Sequence, residues 1–136
     1  MSGDYKPIHG MIENELGYRL LNFEKLCARL DRMKKDDRHL TIVAEADGRA
    51  VGFIGIYRGL TYNYEGEYIQ VLALAVTKEM QRKGIGALLT RWAEDYAVAN
   101  DIHTIVLTSR LQREDAHAFY ESKGYIKRSY GFYKEL

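Results

Sequence analysis

A chain of 136 residues with a net charge of +1 is sized for one domain, 1–136, with a real core, and gives neither nucleic acid nor an anionic membrane an electrostatic reason to bind. No apolar run approaches a membrane span, and the N-terminus lacks a signal peptide's apolar stretch. The single cysteine, Cys27, cannot form an intrachain disulfide, which fits a reducing cytoplasm.

The elements follow in order. Ile8 to about Tyr18 is weakly helical. Asn22 to Lys35 is a stronger helix, with Phe23, Leu26, Cys27, Leu30 and Met33 at helical spacing. Its mixed charge run, Arg32 to Arg38, reads as a solvated helix end. Leu40 to Ala46 is a strand, and the turn Asp47-Gly48-Arg49 leads into a second, Ala50 to Tyr57, as a hairpin. Gly59 to Gly66 is a polar loop bearing Tyr62 and Tyr64. Tyr68 to Val76 is apolar on both faces, which predicts a central strand covered on both sides. A helix over Gly84–Ala99 follows, then a buried strand at Thr104–Thr108. A short helix over Glu114–Lys123 stops at Gly124, a residue suited to a helix end. Two short strands, near Tyr125–Arg128 and Gly131–Lys134, close the chain. This order predicts a mixed α/β sheet with helices packed on it.

The most informative stretch is Gln81-Arg82-Lys83-Gly84-Ile85-Gly86-Ala87, where a strand hands over to a helix. First-turn N–H groups of a helix lack internal partners, and the helix dipole adds partial positive charge there. Glycines let the backbone approach a ligand, so the stretch reads as a pyrophosphate cradle. Arg82 and Lys83 add full charges to it, or are plain solvated cations. No Gly-Lys-Ser/Thr follows, which excludes a P-loop. A single G-x-G without a βαβ repeat disfavours a Rossmann fingerprint.

Two motifs at the right distance carry a family resemblance. Gln81-Arg82-Lys83-Gly84-Ile85-Gly86, after the strand Leu74-Ala75-Val76, resembles the Q/R-x-x-G-x-G/A loop of the GNAT superfamily of acyl-CoA-dependent N-acetyltransferases. Ala116-His117-Ala118-Phe119-Tyr120-Glu121-Ser122-Lys123-Gly124-Tyr125 resembles that family's A-x-x-F-Y-x-x-x-G-F/Y segment, and the likeness spans about Leu40 to Leu136. It implies a mostly antiparallel central sheet with helices on both faces, splayed at one strand pair to admit a pantetheine arm. The family usually begins with a strand before its first helix. Met1 to Lys6 are too few and too polar for it, so either this fold lacks the strand or the sequence has lost it; the sheet edge then left is one that a partner chain, in a homodimer, would cover.

The resemblance also implies the chemistry. Acetyl-CoA is the co-substrate, with no metal. Leu74, Ala75 and Val76 offer main-chain groups to pantetheine as an added strand would. Gln81, Arg82, Lys83, Gly84, Ile85, Gly86 and Ala87 hold the diphosphate, and Ser109 and Arg110 lie where the family contacts the pantetheine arm or an adenine-side phosphate. Tyr120 is the expected general acid toward the CoA sulfur; Phe119 reads as packing and His117 as a helix-surface histidine. The general base stays open. Some relatives have glutamate where this chain has Gln70, which cannot accept a proton at neutral pH. Glu67 or Glu65 through a water, Tyr68 or bulk water are the alternatives.

Eleven tyrosines in all, with acids beside the Tyr57–Tyr68 loop, suit a small cationic amine. The expected activity is acetyl transfer to a small primary amine in a ternary complex. The alternatives are a protein lysine or N-terminal acetyltransferase, and a non-catalytic acyl-CoA sensor or scaffold.

Overall fold

The structure is a computed structural model that describes residues 2–17 and 22–136. After a single 3₁₀ turn at Ser2–Asp4, its helices are α1 (Tyr5–Asn14), α2 (Phe23–Lys34), α3 (Ile85–Ala99) and α4 (Glu114–Ser122). Its strands are β1 (His39–Ala46), β2 (Arg49–Gly59), β3 (Tyr68–Val76) and β4 (Ile105–Leu107). The chain folds into two compact units, Met1–Val106 and Leu107–Leu136.

The strands form one sheet in the order β1-β2-β3-β4. β1–β2 and β2–β3 are antiparallel, as expected of a mostly antiparallel sheet. Asp47 and Gly48 both take left-handed backbone (φ 53 and 74), the geometry of a two-residue hairpin turn whose twist matches its strands. β4 joins beside β3 after the α3 crossover, the connection that brings neighbouring strands side by side in one direction. Among the described residues no strand precedes α1, and β1 is an edge strand.

Helices cover both faces of the sheet. Phe53 and Ala75 pack with Tyr5, Ile8, Met11, Leu16, Leu26 and Leu30, so that face is covered by α1 and α2. Gly52, next in the strand and therefore facing the other way, lies against Ile85 and Leu89 of α3. β2 is buried from Ala50 through Ile56, more completely than β3. Asn22 starts α2 by accepting the Lys25 N–H at 2.9 Å.

Four expectations need correction. The first helix begins at Tyr5 and ends at Asn14, and its expected end at Tyr18 lies outside the described residues. β3 is not covered throughout. Gly55 pairs with Ala73 and Ile56 with Val71, so Leu72 is the extra residue of a bulge and is 41% exposed. The strand expected to be buried at Thr104–Thr108 is shorter, Ile105–Leu107, and is only half-buried. The closing strands Tyr125–Arg128 and Gly131–Lys134 do not form; residues 125–136 have no regular structure, and Ile126, Tyr130, Phe132 and Tyr133 are exposed. A two-stranded ribbon is marginal without a third strand or a covered apolar face, and Lys127, Arg128, Lys134 and Glu135 interrupt the apolar pattern. Among the described residues no helix is long and apolar enough to cross a membrane.

Candidate active site

The loop between β3 and α3 is built to present N–H groups. After the 3₁₀ turn Lys78–Met80, Arg82 (φ 65) and Gly84 (φ 84) both adopt left-handed backbone. For arginine this conformation is strained, and such alternation turns successive N–H groups toward one side as an anion nest. The first helical bond of α3 runs from the Leu88 N–H to the Gly84 carbonyl at 3.0 Å, which leaves the Ile85, Gly86 and Ala87 N–H groups without partners in the helix. Gln81, Arg82, Lys83 and Gly84 are exposed. The Gln81 amide donates to the Val76 carbonyl at 3.0 Å, tying the loop to the strand end. An open, positively polarised helix end of this kind fits a diphosphate.

Strand register sorts the three expected pantetheine contacts. The Thr77 N–H donates to the Val51 carbonyl at 2.8 Å, so Thr77–Val51 is a hydrogen-bonded pair, and Ala75–Phe53 is the next one along. The main-chain groups of Ala75 therefore point to β2, while those of Leu74 and Val76 point to the β4 side. The bulge at Leu72 lies just before them.

On the α1–α2 face, register aligns His39, Tyr57 and Gln70 in a row across three strands. Rings link the row: His39–Tyr57 at 5.2 Å, Tyr57–Tyr68 at 6.5 Å and Tyr64–Tyr68 at 6.0 Å. The Arg38 guanidinium lies 5.9 Å from the Tyr57 ring centre, so a cation already uses this aromatic surface. Asp36 sits 3.4 Å from His39 Nδ1, and Arg38's hydrogen bonds hold the Asp36 carboxyl well below its usual range, at about 2.

Glu67, the expected water-assisted base, is committed elsewhere. Arg58 Nε donates to Oε2 at 3.2 Å and Nη2 to Oε1 at 2.6 Å. These hydrogen bonds lower the Glu67 pKa, which makes the carboxylate a poorer proton acceptor. Glu15 shows the opposite effect. Burial raises its pKa against the Lys78 N–H that donates to it, and its Oε2 is buried without a hydrogen-bond partner.

In the second unit, α4 carries Tyr120 and ends in a Schellman motif. The Tyr125 N–H donates to the Tyr120 carbonyl and the Gly124 N–H to that of Glu121, both at 3.1 Å, with Gly124 left-handed (φ 90). Tyr120 is half-buried, with its ring 5.5 Å from Phe119 and 5.9 Å from Tyr125. His117 Nε2 lies 2.8 Å from the Arg110 carbonyl, so this histidine braces the start of its own helix. The Ser109 hydroxyl is buried without a hydrogen-bond partner, a group suited to a polar ligand atom.

The model of the acetyltransferase (GNAT) family matches residues 5–125. The chain belongs to the GNAT family. That family consists of acetyl-CoA-dependent acetyltransferases. Among relatives, the uncharacterized N-acetyltransferase YhdJ of Bacillus subtilis (strain 168) is 38% identical over 74 residues, 54% of this chain and 52% of that protein, so the match spans about half of each. The aminoalkylphosphonate N-acetyltransferase of Salmonella typhimurium is 27% identical over 132 residues, 97% of this chain and 82% of its own length. A solved structure, a transcriptional regulator from Bacillus halodurans C-125, superposes with a TM-score of 0.90 at 24% identity, covering 100% of this chain and 95% of its own; that likeness shows the fold.

Sequence reading missed Arg58 and His39. Arg58 could have been found from an arginine and a glutamate bracketing one loop. His39 stands at a strand start after a charge run, where nothing local marks it.

Proposed function

We propose that the chain, as one domain over residues 1–136, acetylates the primary amine of a small molecule by direct attack in a ternary complex. The observation that carries this reading is the open N-terminus of α3, with left-handed Arg82 and Gly84 in the loop leading to it. In this reading Gln81 to Ala87 hold the diphosphate, with Arg82 and Lys83 as neutralising cations. Leu74 and the Val76 N–H pair with the pantetheine amides, the Val76 carbonyl being held by the Gln81 amide, while Ala75 lines that edge and Ser109 offers its unpartnered hydroxyl. Acetyl-CoA supplies the activated acetyl group. The Tyr120 phenol donates a proton to the departing sulfur.

The acceptor lies on the α1–α2 face, beside Tyr57, Tyr64 and Tyr68, whose rings suit an ammonium that sheds its proton on binding. Gln70, in the same row, orients amine or water by hydrogen bonds. Water is the proton acceptor, since Arg58 occupies both Glu67 oxygens. The small-molecule class is supported by the relative that acts on aminoalkylphosphonates, which aligns over 97% of this chain. A cytoplasmic site fits the acetyl-CoA co-substrate and the unpaired Cys27.

The test is thiol release from acetyl-CoA with 2-aminoethylphosphonate, an aminoglycoside and glucosamine 6-phosphate. Release with at least one amine is expected, and CoA binding without release from any would favour a sensor module. Tyr120→Phe should lower kcat by about 10²-fold while leaving acetyl-CoA affinity intact, the loss expected of a missing general acid. An unchanged rate would remove Tyr120 from the mechanism.

A further inference from the structure

Arg58 uses its whole guanidinium. While Nε and Nη2 hold the two Glu67 oxygens, Nη1 donates to Tyr96 Oη at 2.9 Å and to Asn100 Oδ1 at 3.2 Å. The guanidinium carbon lies 5.7 Å from the Tyr96 ring centre, and Tyr96 stacks on Trp92 at 5.4 Å. The Arg58 side chain is only 21% exposed. One residue therefore ties together the end of β2, the start of β3 and the C-terminal half of α3.

Two features say what this tie controls. Arg58 and Glu67 are the residues on either side of Gly59–Gly66, so their ion pair closes that loop at its base. Strand alternation also puts Arg58 on the α3 face, opposite Tyr57, so the pair cannot touch anything bound beside the tyrosines. The loop tip is otherwise open, with Leu60 and Tyr62 exposed. At the loop's first residue, a Cβ on Gly59 would lie 2.6 Å from Tyr57 Oη and 2.7 Å from Cε2, so the loop leaves β2 pressed against the Tyr57 ring. Tyr64, within the loop, reaches Tyr68 at 6.0 Å. Any slackening at the base moves Gly59 and Tyr64, and with them the tyrosine row.

We infer that Arg58 and Glu67 form a clasp that sets acceptor recognition from the far face of the sheet. They are positioning residues: they hold the tyrosine-bearing loop in register and couple it to α3, whose other end carries the diphosphate loop. The inference rests on the reading that the acceptor binds beside Tyr57, Tyr64 and Tyr68.

Four proteins test it: wild type, Arg58→Gln, Glu67→Gln and the reversed pair Arg58→Glu/Glu67→Arg. Two readouts are needed. In native conditions chymotrypsin should cut after Tyr62 or Tyr64 about tenfold faster in each single variant, as expected when a charge-assisted hydrogen-bonded pair worth one power of ten is lost. In steady state with the best amine of the panel, the amine KM should rise about tenfold, while kcat and acetyl-CoA affinity stay within about twofold. The reversed pair should recover most of both losses. Unchanged cleavage in singly substituted proteins overturns the clasp, whatever the turnover. So does an acetyl-CoA affinity that falls in step with the amine KM, since that marks general loosening. A wild type that turns over none of the amines sinks the acceptor reading instead, and the cleavage rates still decide the clasp.

Discussion

Two glutamates show how partners, not residue type, set a carboxylate's use. Glu67 lies beside the acceptor loop and invites the role of base, but Arg58's hydrogen bonds lower its pKa from the ordinary 4.5. The stability it adds is therefore present above pH 4.5 and is lost as pH falls through its lowered value. Glu15 runs the other way: burial raises its pKa, with Glu79 adding to the rise, so the folded state binds its proton more tightly than the unfolded chain does. Stability should fall as pH rises from 4.5 through the raised value. Glu15→Gln is expected to raise Tm by a few degrees at pH 7 and to leave it unchanged at pH 4, read by calorimetric melts; an unchanged or lowered Tm at pH 7 would contradict this. Of the proposed site residues, Gly84, Gly86 and Tyr120 stand out in the sequence because short motifs carry them. The Glu67–Arg58 pairing was not, because it depends on which strand face each residue occupies across a loop.

At the scale of elements, the sheet and α3 fit through one small residue. A Cβ added at Gly52 would meet Ile85 Cγ2 at 3.1 Å, the Ala75 carbonyl at 3.2 Å and Leu89 Cδ1 at 3.3 Å. The Ala75 carbonyl is backbone already bound into the ladder, so α3 would have to give. Gly52→Ala should therefore destabilise by about 1–3 kcal/mol in urea unfolding, as overpacking does, and it should weaken acetyl-CoA binding because the α3 N-terminus shifts. A variant of wild-type stability would show that α3 is not seated this closely. Element identity was largely legible in periodicity: β3 begins and ends where predicted, and α2 and α3 differ from prediction only at their caps. The bulge at Leu72 was not legible, since it is set by pairing with β2 rather than by local composition. The closing strands do not form, because Tyr125, Ile126, Phe132 and Tyr133 supply strand propensity but not a strand partner.

For the whole molecule, the proposed function rests on a strand, a strained loop and an open helix end meeting at residues 74–87. The GNAT family supplies the chemistry, and this chain supplies the particular cradle: left-handed Arg82 and Gly84, the Gln81 amide on the Val76 carbonyl, and the outward main-chain groups of Leu74 with the Val76 N–H. That the fold was predictable and the acceptor was not has a physical cause. A diphosphate is read by backbone N–H groups that a short glycine motif announces, whereas an amine is read by side chains gathered from several strands. Calorimetric titration of the folded chain with acetyl-CoA and with S-acetylpantetheine, which lacks the diphosphate, tests the central claim most directly. One equivalent of acetyl-CoA should bind per chain, and S-acetylpantetheine should bind about a hundredfold more weakly or worse, the loss expected when several charge-assisted hydrogen bonds are removed. No uptake of acetyl-CoA, or equal affinity for both, would contradict the account.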